Sequence, residues 1–359
     1  MLARSEMEGR PLRRPGSWVQ PPRRFPPDPR QSSCAGLVAR ASPFWNSPPW
    51  SVPRRSAPLR ALRCLAGAIA FAWIISTSSA ETLTIATYNV ENYVATNRMT
   101  DAGYRTDYPK PESEKAALRQ VIRRLNVDVL VLQEMGQQKF LDELQRDLKR
   151  AGSTYPYALL LSGPDVDRHV AILSKRPFVS SRAHSDLGFT YFAGKEKVKR
   201  GILEVALNTA VGDVTLFGLH LKSRFTDRPD DPRSSVRREG EATAIRDLVL
   251  SRFPDPASSR FVILGDFNDD KSSKTLQRFD HRGQISVSQL LPLADSHGES
   301  WTHLYKKEDS FTRVDHILVS PGLLSAVRGG AGVIEDGVGV REASDHRPVK
   351  VTLSFPDKD

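Results

Sequence analysis

One stretch, residues 261–268, constrains the fold and the chemistry of this chain more than any other. It reads Phe-Val-Ile-Leu-Gly-Asp-Phe-Asn, four apolar residues running straight into Gly265 and Asp266. A short continuous apolar run predicts a buried strand, and a glycine after it lets the backbone turn sharply or be approached closely. Asp266 and Asn268 are two positions apart, so in an extended segment they project to the same side. Such a pair more commonly marks an Asx-type turn. The alternative is a catalytic pair, in which the carboxylate takes a proton and the amide donates to an oxyanion or holds a metal.

The first 80 residues differ in composition from the rest. Residues 1–60 hold 12 of the 25 prolines and few periodic apolar positions, a composition that predicts disorder. Residues 61–80 combine a basic flank, an apolar run, and small residues at Ser78 and Ala80, which is typical of a secretory signal peptide. The run is short for a membrane span, which needs about 20 residues, so an uncleaved anchor is the competing interpretation. We expect a secreted or periplasmic protein whose residues 81–359 form one domain.

The charge and the cysteines also separate the leader from the domain. Residues 1–80 contain 12 of the 52 Lys and Arg residues and 3 of the 42 Asp and Glu residues, which leaves 40 and 39 in residues 81–359. The basic character of the chain therefore gives no support to nucleic-acid binding by the domain itself. Cys34 and Cys64 both lie in the leader, so the domain has neither disulfides nor a thiolate zinc site.

The predicted secondary structure differs between the first and the later part of the domain. Residues 82–89 and 128–134 read as strands, each followed by a helical pattern, at 113–126 and 137–150. This alternation predicts α/β layers. Later segments are short strands parted by turn residues, which indicates antiparallel hairpins, with one further helix at 234–252. The later strands are expected at 157–161, 169–174, 201–208, 214–221, 261–264, 314–320 and 349–355.

Polar residues stand at the ends of several of these strands. Asn89 and Glu134 close otherwise apolar strands, and a carboxylate at the mouth of a buried strand is costly unless it is paired or binds a cation. Each could instead be a surface or turn residue. Asp315 lies inside an apolar strand and needs a partner, for which a histidine is suited. Its alternative partner is a set of backbone amides in the adjacent turn.

Two histidines are further candidates for the site. His346 follows Asp345 in a Ser-Asp-His-Arg-Pro turn before the last strand, and His220 is embedded in an apolar segment. Either could be a packed core histidine, or the two could serve as base and acid around a phosphorus centre. Oxygen ligands without cysteine suit Mg²⁺ or Mn²⁺. Charge neutralisation, an activated water and a protonated leaving group are what phosphodiester hydrolysis requires.

Seven short motifs between residues 84 and 354 resemble, in order, those of the endonuclease/exonuclease/phosphatase superfamily, which includes deoxyribonuclease I, exonuclease III-type enzymes, sphingomyelinases and inositol phosphatases. The resemblance implies a four-layer α/β sandwich, with two mixed, mainly antiparallel sheets packed face to face between flanking helices. The motifs are Thr87-Tyr88-Asn89-Val90, Leu132-Gln133-Glu134, Val170-Ala-Ile-Leu-Ser174, Leu219-His220-Leu221-Lys222-Ser223, Gly265-Asp266-Phe267-Asn268, Arg313-Val314-Asp315-His316-Ile317-Leu318 and Ser344-Asp345-His346-Arg347-Pro348.

The same resemblance implies a role for each matching residue. The implied metal ligands are Glu134 as the principal one, with Asn89 and Asp345 in support. The implied catalytic residues are His346 as general base or phosphate-contacting histidine, Asp315 orienting it, Asp266 and Asn268 polarising the water and holding the phosphate, and His220. Exonuclease III-type abasic-site enzymes carry Tyr near the position of His220, so this histidine favours a resemblance to deoxyribonuclease I and sphingomyelinases. Lys222, Arg224 and Arg168 are candidates for substrate phosphate contacts, although each could be solvated surface charge.

We therefore expect an exported, Mg²⁺- or Mn²⁺-dependent phosphodiesterase, a monomer and most simply an endonuclease acting on nucleic acid. One alternative is a sphingomyelinase-like phospholipase C or a small-molecule phosphatase. A sphingomyelinase would need an exposed aromatic hairpin, for which residues 189–192 are the only candidate, and these residues could instead form a buried strand. The other alternative is a catalytically inactive binding domain on the same fold, since fold alone does not set function.

Overall fold

The computed structural model describes residues 80–100, 102–226 and 228–356. The expected disordered segment and nearly all of the expected signal peptide lie outside these residues, so both stay predictions. No helix of the described residues is long and apolar enough to cross a membrane.

The described chain forms strands, five α-helices and two 3₁₀ turns, the latter at Pro321–Ala326 and Arg328–Gly330. In chain order the strands and helices are β1 (Glu81–Tyr93), β2 (Thr96–Thr100), β3 (Gly103–Tyr108), α1 (Glu112–Leu125), β4 (Val129–Met135), α2 (Gln138–Arg150), β5 (Tyr157–Leu161), β6 (His169–Ser174), β7 (Ser180–His184), β8 (Gly188–Tyr191), β9 (Gly194–Lys197), β10 (Ile202–Thr209), β11 (Gly212–His220), α3 (Ser235–Arg252), β12 (Phe261–Asp266), α4 (Lys274–Asp280), β13 (His281–Arg282), β14 (Ile285–Ser286), β15 (Gln289–Leu290), β16 (Leu293–Ala294), β17 (His303–Tyr305), β18 (Ser310–Thr312), β19 (Asp315–Val319), β20 (Gly332–Ile334), α5 (Val340–Ala343) and β21 (Val349–Phe355).

Two mixed sheets make up the centre of the domain. One has seven strands in the order β16-β20-β21-β1-β4-β6-β5, and the other has six in the order β15-β19-β12-β11-β10-β7. Most neighbours are antiparallel, while the pairs β1–β4, β16–β20 and β11–β12 are parallel. The expectation of mixed, mainly antiparallel sheets is confirmed.

Three apolar clusters show that the sheets and helices form four layers. The largest cluster joins inward residues of both sheets, such as Val131 from one and Leu216 from the other. A second cluster packs α1 and α2 on the outer face of the seven-stranded sheet, through residues such as Leu118. A third packs α3 and α4 against the six-stranded sheet, through residues such as Ile245. Central strands such as β4, β6 and β12 bury both faces because they lie between the opposing sheet and a helix layer. The four-layer α/β sandwich is therefore confirmed.

Strand register brings the candidate site residues to one end of the sheets. The central strand β12 pairs with β11 on one side and β19 on the other, so that Asp266 lies opposite both His220 and Asp315. In the other sheet, β1 runs parallel to β4, and Asn89 is the partner of Gln133, next to Glu134. Residues far apart in sequence therefore meet because their strands end together.

Several hairpins were not expected from the sequence. The ribbons β2–β3, β8–β9 and β17–β18 each form a separate two-stranded sheet, and α4 and several short strands occupy the stretch that showed little periodicity. The ribbons β2–β3 and β17–β18 have no buried residue. They therefore need no alternation of apolar and polar residues, which removes the signal that identifies strands. The strand β8 differs, because Phe189 and Tyr191 are buried and alternate with exposed residues.

The aromatic segment 189–192 is not the only exposed aromatic hairpin, which corrects the sequence interpretation. Phe189 and Tyr191 are buried, and Phe192 alone of the three is 44% exposed. More exposed aromatic side chains occur on the other ribbons, namely Tyr104 on β3 at 61% and Phe311 on β18 at 51%.

Candidate active site

The carboxylate of Asp266 lies at the centre of the candidate site. It is 1% exposed, and the Asn89 Nδ2 group donates to its Oδ2 atom over 3.0 Å. The backbone N–H of Asn268 donates to Oδ1 over 2.8 Å. The Nε2 atoms of His220 and His346 lie 3.4 and 3.9 Å from Oδ2. Asp266 is thus surrounded by four other residues that were expected at the site, namely Asn89, Asn268, His220 and His346.

The backbone around Asp266 explains why the glycine and asparagine stand beside it. Gly265 has φ of 152°, and a Cβ atom there would overlap the carbonyl oxygen of Leu219 on β11. Glycine is therefore required for the close approach of the two strands. Asn268 has φ of 53°, a left-handed conformation that asparagine tolerates.

The Asx turn is present, and it brings together the two side chains of the catalytic pair that was offered as its alternative. The bond from the Asn268 N–H to Asp266 Oδ1 is an Asx turn, and the same turn brings the Asn268 side chain to Asp266 Oδ2, at 3.3 Å. The expected extended projection is wrong, because the chain is already turning at Asn268. The Asn268 amide also donates to the Leu221 carbonyl over 3.1 Å.

Asp315 holds the ring of His346. The Nδ1 atom of His346 lies 2.8 Å from Asp315 Oδ2, and both side chains are buried. Thr302 helps to fix the start of β19, because its hydroxyl oxygen accepts the N–H groups of Val314 and Asp315. The other oxygen, Oδ1 of Asp315, is buried and has no hydrogen bond within the described residues. The partner expected for a buried Asp is thus a histidine rather than turn amides.

The electrostatics of the site separate the two histidines. Burial lowers the pKa of His220 well below its ordinary value, and nearby Arg200 and His346 act in the same direction. Burial also opposes charge on His346, but the carboxylates of Asp315, Asp266 and Asp345 outweigh it and raise its pKa well above the ordinary value. At neutral pH these directions leave His220 neutral and His346 charged.

Asp266 is the third titratable group of this centre. Burial raises the pKa of Asp266 to about 7, the Asp315 carboxylate acts in the same direction, and His346 opposes both. A carboxyl with a pKa in this range can both take and release a proton at neutral pH.

The three candidate metal ligands are tied together by the bulged end of β1. Glu134 has φ of 61°, and its Oε2 atom accepts the N–H of Asn92 over 2.9 Å. The N–H of Asp345 donates to Glu91 Oε2 over 3.0 Å, and Asn89 Oδ1 accepts the N–H of Glu91 over the same distance.

The donor set of these residues fits a hard divalent cation. Glu134 and Asp345 offer carboxylate oxygens and Asn89 an amide oxygen, which are the ligand types that Mg²⁺ and Mn²⁺ prefer. The Oε1 atom of Glu134 makes no hydrogen bond to any residue that the structure describes, so it is free to serve as a ligand.

The three candidate substrate-binding residues differ in where they point. The Arg168 Nε atom donates to Asn92 Oδ1 over 2.7 Å, next to Glu134. Lys222 instead folds back on its own loop, donating to the carbonyl oxygens of Ser223 and Phe225. Arg224 donates to the Asn268 carbonyl at 3.3 Å and to the Asp270 carboxylate at 3.0 Å. Arg168 is therefore held beside the candidate metal ligands, Lys222 is occupied by its own loop, and Arg224 is bound to the loop after β12 that carries Asn268.

Sequence reasoning missed two side chains of the site. Glu91 contacts the Asp345 amide, and burial followed by the Asp345 charge raises its pKa. It stands two positions after Asn89, a spacing that could have identified it. His303 on β17 stacks on His346 with ring centroids 4.5 Å apart. It lay in the stretch without periodicity, so no sequence signal pointed to it.

A buried ion pair behind the site was also missed. Asp165 Oδ2 accepts from Arg200 Nε over 2.9 Å, and Arg200 also donates to the Leu221 carbonyl over 3.0 Å. The other Asp165 oxygen accepts the N–H of Arg168 over 3.3 Å. This pair joins the loop that carries Arg168 to the Leu221 carbonyl that Asn268 also contacts. It therefore links two sides of the site.

Comparison with known proteins identifies the sequence pattern over most of the domain. Residues 86–346 match the profile of the Endonuclease/Exonuclease/phosphatase family. No protein with a curated description matches this chain in sequence.

Solved structures match at the level of fold. Sphingomyelinase C from Streptomyces griseocarneus superposes with a TM-score of 0.51 and 18% identity, over 76% of this chain and 99% of that one. The human Nocturnin catalytic domain with bound sulfate superposes with a TM-score of 0.52 and 14% identity, over 77% of this chain and 97% of that one. A double mutant of beta toxin from Staphylococcus aureus with bound magnesium ions superposes with a TM-score of 0.51 and 16% identity, over 77% of this chain and 100% of that one.

Proposed function

This chain belongs to the Endonuclease/Exonuclease/phosphatase family, a family of phosphoester hydrolases, and from that premise we propose that it is an exported, Mg²⁺-dependent endonuclease acting on nucleic acid. The observation that carries the hydrolytic part is the buried Asp266 carboxylate with two asparagine side chains and two histidine rings around it. An inactive binding domain has no chemical need for this arrangement, and a buried carboxylate of this kind is costly to keep.

The mechanism divides the proton transfers between Asp266 and His346. Asp266, whose pKa is raised to about 7, accepts the proton of the attacking water, and neutral His220, whose Nε2 atom lies 3.4 Å from Asp266 Oδ2, holds that carboxyl in place. Charged His346 contacts the phosphate, the second of the two roles open to it, and gives a proton to the leaving oxygen. Each such positioned proton transfer contributes roughly 10²- to 10⁴-fold to the rate.

The metal ligands in this proposal are Glu134, Asn89 and Asp345. When bound there, Mg²⁺ would supply positive charge to the phosphate oxygens as negative charge builds up on them. Arg168, fixed by Asn92 beside Glu134, would contact the same phosphate.

The exposed ribbon β2–β3 supports a polymeric substrate. The ribbon starts beside the candidate metal ligands, because Arg98 donates to the carbonyls of Asn92 and Val94. Beyond this base, Tyr104 is 61% exposed and Arg105 is also exposed. An aromatic ring and a guanidinium on one ribbon suit the bases and phosphates of a nucleic-acid strand.

The ribbon β17–β18 weighs against a sphingomyelinase. Tyr305 and Phe311 are exposed on it, but its turn reads Lys-Lys-Glu-Asp over residues 306–309. Four charged side chains at the tip make insertion into the apolar part of a bilayer costly. This second function is therefore tested as a control rather than proposed.

The experiment is Mg²⁺-dependent hydrolysis of plasmid DNA by the purified full-length chain, with EDTA and His346→Ala as controls. We expect nicking that both controls abolish. Intact plasmid together with cleavage of sphingomyelin, a generic phosphodiester or a phosphomonoester would contradict the endonuclease and retain the hydrolase. Export is tested separately by amino-terminal sequencing of the native protein, which should begin near residue 81.

A further inference from the structure

His303 gives this site a second set of metal ligands that differs in chemistry from the first. One ligand atom from each of His303, Asp345 and His346 lies within 4.8 Å of the others. His303 Nε2 is 3.8 Å from Asp345 Oδ2, and the two imidazole rings are 4.5 Å apart at an angle of 38°. The set therefore has two nitrogen donors and one carboxylate, whereas Glu134, Asn89 and Asp345 offer only oxygen.

The backbone fixes His303 opposite His346. The two residues form an antiparallel bridge. On either side of it the Leu304 N–H donates to the Asp345 carbonyl over 2.9 Å, and the Arg347 N–H donates to the Thr302 carbonyl over 2.7 Å. The ribbon β17–β18 is thus joined by backbone hydrogen bonds to the Asp345–His346 turn. This backbone pairing places the rings of His303 and His346 opposite each other.

Both rings are oriented so that their Nε2 atoms face the cluster. The Asp315 carboxylate accepts the Nδ1–H of His346 at 2.8 Å, and His303 Nδ1 lies 3.3 Å from the Thr312 hydroxyl. Neither Nε2 atom has a hydrogen bond within the described ranges. A carboxylate or hydroxyl on one ring nitrogen and a metal on the other is the usual arrangement of a metal-bound histidine.

The imidazole donors decide which cations would bind. Imidazole suits Zn²⁺, Co²⁺ and related transition metals, whereas Mg²⁺ prefers oxygen and keeps several waters. Zinc holds nitrogen and oxygen ligands at about 2.0–2.2 Å. Donors within 4.8 Å of one another therefore need only small side-chain rotations to reach it. His303 is 23% exposed on its side chain, which leaves a route from solvent.

We propose that His303, His346 and Asp345 form a transition-metal site that overlaps the Mg²⁺ position at Asp345, and that its occupation by Zn²⁺ inhibits the enzyme. Bound Zn²⁺ replaces the Nε2 proton of His346, which is released to solvent. The ring can then neither contact the phosphate nor give a proton to the leaving oxygen, and Asp345 is taken from the Mg²⁺ ligands. The binding part stands on geometry alone, while the inhibition rests on the proposed hydrolase function.

The test of binding uses Co²⁺ as a coloured substitute for Zn²⁺. The probe is the visible absorption of Co²⁺ added to the full-length chain at mildly alkaline pH, with millimolar Mg²⁺ present. The chain carries Cys34→Ser and Cys64→Ser, so that leader thiolates cannot bind metal. We expect one bound Co²⁺ that Zn²⁺ displaces and Mg²⁺ does not.

Two variants separate this site from other histidines. His303→Asn should weaken Co²⁺ binding by about tenfold or more, the scale that metal-site substitutions produce, and Asp345→Asn should weaken it similarly. His281→Asn, an exposed histidine on β13, is the matched control and should bind as the parent does. Co²⁺ binding by His303→Asn equal to that of the parent, with the same thermal unfolding, would overturn the proposal.

The inhibition is measured on Mg²⁺-driven hydrolysis, with each variant normalised to its own rate without Zn²⁺. The Zn²⁺ concentration that halves the rate should rise about tenfold in His303→Asn relative to the parent, and stay unchanged in His281→Asn. An unchanged Zn²⁺ response in His303→Asn would contradict the inhibition. Absence of any hydrolysis by the parent would contradict the proposed function, while the Co²⁺ experiment would still decide whether the site exists.

Discussion

Asp315 Oδ2 lies 2.8 Å from His346 Nδ1, and the two side chains are 1% and 7% exposed. Their contact crosses from β19 in one sheet to the turn before β21 in the other. A carboxylate in this position fixes the tautomer and orientation of the ring and stabilises its charged form.

Asp315→Asn should remove the charge that stabilises His346 while keeping the shape of the side chain. We expect kcat for phosphodiester hydrolysis to fall by about 10²- to 10⁴-fold with little change in KM. Asp280→Asn is the matched control, because Asp280 and His281 form an exposed Asp–His contact of 2.9 Å. A fall of kcat in Asp315→Asn no larger than in this control would contradict the role.

The free energy of unfolding should depend on pH through Asp266. Burial raises the folded-state pKa of Asp266 from 3.8 to about 7, so between these values the folded state binds a proton that the unfolded state has lost. Stability contributed by this group is therefore present below pH 3.8 and is lost as pH rises to about 7.

Asp266→Asn should remove that loss. In urea titrations with EDTA present, the parent should lose stability relative to Asp266→Asn as the pH rises from about 4 to about 7. The stability contributed by His346 is also lost as the pH rises, but over a higher pH range, because the pKa of His346 is raised above its ordinary value. Parallel pH profiles for the parent and Asp266→Asn would show that the buried carboxyl titrates normally.

Glu134→Gln should act on the metal requirement. The substitution keeps the size of the side chain and removes the charge that attracts the cation, so the Mg²⁺ concentration for half-maximal rate should rise by about tenfold or more. Glu239→Gln, in the Arg278 ion pair on the far side of α3 and α4, should leave it unchanged. Equal Mg²⁺ requirements in the parent and Glu134→Gln would remove Glu134 from the ligands.

Tyr104→Ala combined with Arg105→Gln should weaken binding of a polymer and spare a small substrate. Loss of one stacked base costs about 1–3 kcal/mol, so KM for DNA should rise severalfold while hydrolysis of bis(p-nitrophenyl) phosphate is unchanged. Tyr157→Ala with Arg182→Gln, on β5 and β7, is the control. Equal loss on both substrates would indicate damage to the site, and no loss on either would remove the ribbon from substrate binding.

The buried Asp165–Arg200 pair should contribute to the stability of the fold. Each side chain is less than a tenth exposed, and removing one partner of a buried pair costs about 3–5 kcal/mol because the other charge is left uncompensated. Arg200→Met should therefore destabilise the fold by that amount in urea titrations. Arg228→Met, from the exposed pair with Asp230, is the control and should leave the free energy of unfolding nearly unchanged.

A double-mutant cycle completes this test. Asp165→Asn should recover part of the stability lost in Arg200→Met, since the buried unpaired carboxylate is then neutral. Strict additivity of the two substitutions would show that the pair is not coupled.

Much of the sandwich was predictable because its central strands are buried on both faces. Residues 261–264 formed a strand as expected, and β5 and β6 have the expected bounds. Apolar runs of this kind leave few other structures open. The ribbons β2–β3 and β17–β18 were not predictable, because exposed strands carry no such constraint.

The candidate site was predictable in its residue types and in part of its geometry. Asp315 was expected to need a partner, and that partner is His346. Lys222 and Arg224 were candidates for phosphate contacts, yet Lys222 donates to its own loop and Arg224 to the loop after β12. Sequence states which groups can donate, but their direction depends on acceptors that only folding brings near.

By itself the sequence determined the family, the layered α/β architecture and the chemical types gathered at the strand ends. These follow from local patterns, namely apolar runs, a glycine where strands approach, and short motifs in a fixed order. Only the tertiary structure decided the charge states of the site histidines. The pKa of His220 is lowered because of burial, and that of His346 is raised because of carboxylates from other strands. It also decided that His303 belongs to the site, since that placement depends on the register between a ribbon and a turn about 40 residues further along the chain.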